Sequence, residues 1–208
     1  MADTLDVITL AEGRRAINLA DSVTTLDTEL AMLITGVSRR IDQRCGPVVA
    51  RAMTERHNGG CTTIQLRNTP VSSITSVTEW DTAGTSTALT AETDSTKPAS
   101  GYLLANDNGH YATITRRAGG ASTLFTSGKR NVIVVASVGR AANTAAVDAL
   151  FKLAAANVLR RLWQREAPIW AQTPDFGADV ADVGFFRVID PMINEWLGGE
   201  LVSNVLVA

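Results

Sequence analysis

The stretch NVIVVASVGRAANTAAVDALFKLAAANVLRRLWQRE, Asn131 to Glu166, changes period half-way, and that change decides how the chain is read. Val132 to Val138 is rich in β-branched residues, which pack well on a pleated surface, and predicts a buried strand. Gly139 ends it. Asn143 or Thr144 then offers a side-chain oxygen to the free amides of a helix start, and Asp148 sits near the positive end of that helix. Val147, Leu150, Phe151, Ala154, Val158 and Leu162 recur at three- and four-residue spacing and predict one apolar face. Arg160, Arg161 and Arg165 fall where cations suit the negative helix end, and Pro168 predicts a stop at Ala167.

A second long helix is predicted upstream, over Leu26 to Arg44. Its stripe is Leu26, Leu30, Leu33, Ile34, Val37, Ile41 and Cys45, with Thr24 and Asp27 as a cap and Gly46-Pro47 as the stop. Thr9 to Glu12 matches a capping box before a short helix, Leu10 to Asn18. Between Val48 and Val138 the period falls to about two. Strands are predicted at Thr62–Leu66 and Ile74–Trp80, with a hairpin of Tyr102–Ala105 and Tyr111–Arg116 around Asn106-Asp107-Asn108-Gly109. Asp81 to Lys97, dominated by Thr, Ser, Ala and Gly, predicts a long exposed loop with one weak strand at Ser86–Thr90. A short helix is predicted from Pro191 to Leu197.

The expected fold is therefore α+β. A helical core of two long helices, with short N- and C-terminal helices, carries an inserted antiparallel β segment. One domain of residues 1–208 is expected, its β-rich insertion at about 48–138.

Composition excludes more than it assigns. The 208 residues carry a net charge of −2, so no bulk attraction to nucleic acid is expected. No apolar run approaches the ~20 residues that span a bilayer. Cys45 and Cys61 read as two buried thiols rather than a disulfide framework. His57 and His110 lack the paired close spacing of zinc ligands. No GxSxG elbow, GxGxxG or phosphate loop occurs. An enzyme, a metal site and a cofactor are not expected.

The basic doublets Arg39-Arg40, Arg116-Arg117, Lys129-Arg130 and Arg160-Arg161 read either as solvated element ends or as salt bridges between subunits. Arg39, Arg40, Arg116, Arg117, Arg160 and Arg161 are the expected subunit contacts. The last fifth of the chain holds Trp170, Phe176, Phe185, Phe186 and Trp196 with little periodicity. Aromatic side chains in such a segment suit an interface, because each removes a large apolar area from water with few rotors to freeze.

Four features, in this order, resemble the head–tail connector family of tailed bacteriophages, also called head-completion or adaptor proteins. They are Ile8-Thr9-Leu10-Ala11-Glu12 before an arginine-containing helix, the helix end IDQRCGPVV, the phrase NTPVSSITSVTEW, and the strand–glycine–helix run of Asn131 to Trp163. The resemblance covers about residues 8 to 166. The chain departs from the pattern in its long Asp81–Lys97 loop and in having Asn143-Thr144 where the last long helix usually starts with proline.

The resemblance implies a structural protein of the virion neck, assembled in the host cytoplasm. It implies a homo-oligomeric ring, dodecameric in the virion, that lies beneath the portal protein and joins capsid to tail. The ring extends the DNA channel and meets a downstream neck or tail protein. DNA passes through the lumen without being read. A low net charge fits, since each cationic contact would retain phosphate. Residues 167–208 are then expected to be a portal-docking arm, and the loop from Thr82 to Pro98 is expected to face the lumen or a neighbouring subunit. The alternative is a stopper or tail-terminator protein, against which the two long helices argue.

Overall fold

A computed structural model of the chain describes residues 3–107 and 111–170 together with Pro191, Ile193, Asn194, Trp196 and Leu197; the side chains of residues 107 and 165–170 lie outside that description. The chain divides into two units. One combines Met1–Val49 with Ala141–Ala208, and the other is Ala50–Arg140.

The first unit contains α1 (Leu10–Ala16), α2 (Asp27–Cys45), a single 3-10 turn (Thr144–Ala146) and α3 (Ala149–Trp170). Helix α1 starts in the expected capping box: Thr9 Oγ1 accepts from Glu12 N at 3.2 Å, and Glu12 Oε2 accepts from Thr9 N at 2.7 Å. Two side chains of α3 hold it. Lys152 Nζ donates to Glu12 Oε1 at 2.8 Å, and Arg160 Nε donates to the last carbonyl of α1, Ala16 O, at 2.8 Å. A cation at that negative helix end is favoured.

In α2 the buried stripe is Leu30, Ile34, Val37, Ile41 and Cys45, with Leu33 only partly buried. Phe151, Ala154, Ala155, Val158, Leu159 and Leu162 of α3 meet the same core, whereas Leu150 is 39% exposed. Ile193 and Leu197 are also in this core.

The start of α3 differs from expectation. Asn143 Oδ1 accepts from Ala146 N and caps the 3-10 turn, and Asp148 accepts from Leu150 N at 2.8 Å. Helix α3 also runs through Pro168 to Trp170; proline lacks one N–H, so it removes one bond of the final turns. Asp27 does not pair with Thr24 as a side-chain cap. Arg14 takes it in a fork instead, Nε to Oδ1 at 3.0 Å, because a charge-assisted bond outcompetes a neutral cap.

The second unit is one mixed eight-stranded sheet. Its strands are β1 (Arg51–His57), β2 (Thr63–Gln65), β3 (Val71–Trp80), β4 (Ser86–Ala91), β5 (Gly101–Asp107), β6 (Tyr111–Ala118), β7 (Ala121–Ser122) and β8 (Val132–Val138). The order is β1-β8-β3-β4-β5-β6-β2, with β7 beside β6. All pairs are antiparallel except β4 with β5. The inner face is closed by Val77, Leu89, Tyr102, Ile114, Phe125, Val132 and Val134. The Thr69–Pro70 peptide before β3 is cis.

This corrects the expected fold class. Among the described residues, three α-helices (with Pro191, Ile193, Asn194, Trp196 and Leu197 also helical, where a short helix was expected) and an eight-stranded mixed sheet of comparable weight stand where a core of two long helices bearing an antiparallel insertion was expected. Two features hid the sheet's extent. In β1, RAMTERH carries Arg, Glu and His with few β-branched residues. In β4, STALTA has one buried side chain, Leu89, so the strand showed only as the weak one expected at Ser86–Thr90 inside the Asp81–Lys97 loop.

Candidate functional site

The edge strands β1 and β2 face one another across a cleft of about 920 Å³, lined by Glu55, Arg56, His57, Cys61, Arg67 and Arg130 among others. Glu55 spans the gap. Its carboxylate, on β1, accepts from Arg67 N at 3.0 Å, Asn68 N at 2.8 Å and Asn68 Nδ2 at 2.6 Å, all just beyond β2. A ring nitrogen of His57 lies 2.8 Å from Oε2. Burial pushes this carboxyl up, but the bonds from His57, Arg67 and Asn68 outweigh it and hold it at about 2. Glu55 is thus an ionised tie across the seam, with its oxygens already engaged.

Asn131 builds the adjoining rim. Its Oδ1 accepts from Gly59 N at 2.9 Å, while Nδ2 donates to Trp80 O at 2.9 Å and Thr126 O at 2.7 Å. Gly59 is required by close approach, since a Cβ there would sit 1.8 Å from Thr126 O. Arg130 N donates to Asn58 Oδ1 at 2.9 Å, and Arg130 holds a left-handed φ of 53°. These contacts bring Lys129 and Arg130 to the same rim as Arg56 and Arg67, and all four are exposed. Only the Lys129-Arg130 doublet was visible in sequence.

A second polar site lies within the sheet. Glu79 of β3 and Arg116 of β6 meet although β4 and β5 separate their strands in the order. Arg116 donates to Glu79 Oε1 from Nε at 3.2 Å and from Nη2 at 2.9 Å, and Nη1 donates to Gly101 O. Glu79 Oε2 accepts from Thr126 N at 3.0 Å. Both side chains are buried. Its neighbour Arg117 bonds Glu92, Ser122 and the Gly120 carbonyl, and Lys97 also reaches Glu92 at 2.9 Å.

The other expected subunit residues are placed as follows. Arg39 is exposed and pairs with Asp3 at 2.7 Å. Arg40 bonds Gln43 at 2.8 Å. Arg160 holds Ala16, and Arg161 is exposed. Of the expected portal residues, Trp196 is 37% exposed beside the buried Ile193 and Leu197. Phe176, Phe185, Phe186 and the side chain of Trp170 lie outside the described residues, as does His110. His57 ends β1 and is buried; Cys45 is buried as expected, but Cys61 is exposed at the cleft. Among the described residues no three potential ligands cluster to hold a metal ion.

No family model and no curated protein sequence matches the chain. Solved structures do match. One is from the neck of an empty gene transfer agent particle computed with C6 symmetry, at 18% identity over 89% of each chain and a TM-score of 0.57. Another is from the virion of the native particle, at 17% identity over 91% of this chain and 89% of that one, with a TM-score of 0.58. A third is from the neck of the native particle computed with C12 symmetry, at 18% identity over 91% and 94%, with a TM-score of 0.52. The chain has the fold of gene transfer agent neck chains. The match spans nearly the full length in both directions, so both units belong to the shared fold.

Proposed function

We propose that the chain is a structural protein of a virion neck, the connector ring beneath the portal that extends the DNA channel and joins capsid to tail. The observation that carries this is the near end-to-end fold match to chains of phage-like particle necks. The connector-like order of motifs along the sequence supports the finer role. That one neck was computed with C6 and another with C12 symmetry supports a ring, and twelve copies is the number we propose.

Arg39, Arg40 and Arg161 lie at or near the first unit's surface and suit contacts between subunits there. Arg116 and Arg117 are engaged inside the second unit, so a subunit role for them acts through the strands they hold. Portal docking by the 167–208 arm falls on Trp170, Phe176, Phe185, Phe186 and the exposed part of Trp196. Ile193 and Leu197 are core residues, so the arm is tested with point variants rather than by deletion. A downstream neck or tail protein takes the opposite rim, and DNA passes unread.

The test is electron microscopy of the chain mixed with its portal. Twelve-fold rings seated on portals are expected. Replacement of Phe185 and Phe186 by serine should leave the thermal transition in place and lower portal occupancy. A folded chain that never joins portals overturns the reading.

A further inference from the structure

We propose that the cleft of the second unit is a subunit-joining site, which binds the acidic segment 171–190 of a neighbouring copy. The inference rests on the ring reading above and adds how the copies hold one another.

The cleft has an excess of positive charge. Arg56, Arg67, Lys129 and Arg130 are exposed around it, and among the described residues none of the four is in an ion pair. Ionised Glu55 offsets one of these four charges, but its oxygens are engaged by His57, Arg67 N and Asn68, so the cleft keeps an excess of cations. Both walls are sheet edges, since β1 pairs only with β8 and β2 only with β6. Polar side chains of Thr54, Asn58 and Gln65 add donors and acceptors along the cleft. An open sheet edge with cationic pockets suits an acidic peptide strand.

The chain itself supplies an acidic segment. Residues 50–140 hold nine cations against six anions, and residues 1–49 with 141–166 are balanced at nine each. The acidity of the protein is therefore concentrated after Glu166. Within 171–190 stand Asp175, Asp179, Asp182 and Asp190 against the single cation Arg187. In a ring, neighbouring copies present this segment to each other at high effective concentration, so weak individual pairs add up. Phosphate would find the same four cations, but a channel that passes DNA gains nothing by retaining it. The acids thus give the segment a partner distinct from the one proposed for its aromatics.

Cross-linking tests the assignment. Cys61 lines the cleft and is exposed, while Cys45 is buried. Full-length chain carrying Ala181→Cys with Cys61→Ser is mixed with the unaltered chain and treated with a short bis-maleimide. A covalent dimer is expected, and Arg56→Glu with Arg130→Glu in the unaltered partner should lower its yield about tenfold. Asp179→Lys with Asp182→Lys in the other partner should restore it. Should the charge reversals not fold, Arg56→Gln with Arg130→Gln serves instead. Absence of a covalent dimer from assembled rings, or a dimer whose yield is insensitive to these charges, overturns the inference. So does binding of labelled duplex DNA that the cleft variants abolish while the link persists. Rings seen by microscopy without the link overturn this inference and leave the ring reading standing; absence of both removes both.

Discussion

Arg116 and Glu79 form a buried ion pair, Nη2 to Oε1 at 2.9 Å, that joins two strands separated by two others in the sheet. The sheet curls enough for its interior to be bridged by one side-chain pair. The remaining polar atoms are also used, by Gly101 O on one side and Thr126 N on the other.

A pair taken out of water this way is costly to break from one side. Arg116→Met should destabilise the chain by about 3–5 kcal/mol, because Glu79 is left charged and buried. The double variant with Glu79→Leu should lose less than Arg116→Met alone. Urea melts of the three variants measure this; additive losses would show that the two residues act separately.

Glu55 sets an acid limit. Its carboxyl is held at about 2 against an ordinary 4.5, so the folded state binds this proton more weakly than the unfolded chain. The stability it supplies is complete above about pH 4.5 and is lost as pH falls towards 2. Glu55→Gln should flatten the slope of stability against pH across that window. Chemical denaturation at a series of pH values reads the slope, and an unchanged slope would rule out Glu55 as a source.

Two positions on the helical stripes should respond very unequally. Ile34 is fully buried, and Ile34→Ala should cost about 2–5 kcal/mol. Leu150, which shares the helical period but is 39% exposed, should cost under about 0.5 kcal/mol on replacement by Ala. Thermal and denaturant midpoints give both values.

Two glycines make a further contrast. At Gly36, in the middle of α2, nothing lies within 4 Å of an added Cβ, so Gly36→Ala should stabilise by roughly 0.5–1 kcal/mol through helix propensity. At Gly59 the added carbon would meet Thr126 O, and the rim of the cleft must shift. Gly59→Ala should therefore lower the melting temperature and raise amide exchange at Arg130, whose N–H is held by Asn58.

Much of the first unit was legible because its signals are local. The capping box at Thr9 and the strong apolar period of α2 need no distant partner to be read. Of the expected stripe only Leu26 and Leu33 are partly buried rather than buried, because Leu33 and Ile34 both fit the period and packing buries Ile34 more deeply. The hairpin of β5 and β6 was also legible, from alternation on both sides of a turn. The ion pair of Glu79 and Arg116 was missed, yet parity carried the signal. Val77 and Glu79 share one strand face, as do Ala112, Ile114 and Arg116, and in both strands the apolar members are buried. The cleft had no such mark. Arg56, Arg67 and Arg130 lie far apart in sequence, and pairing of β2 with β6 and β1 with β8 is what gathers them.

The parallel backbone bridge between Val49 and Ala141 has a kinetic meaning. Those residues flank the second unit, whose first and last strands are themselves paired from Arg51 with Val138 to His57 with Val132. Once the sheet has formed, the two ends of this long excursion are already side by side. The loop-closure entropy that would separate the halves of the helical unit has then been met by the sheet, leaving α2 and α3 to search for one another as though joined by a short turn. Folding is therefore expected to be ordered, sheet before helices, and a variant that slows pairing of β1 with β8 should delay burial of Trp163 in stopped-flow refolding although the two lie in different units.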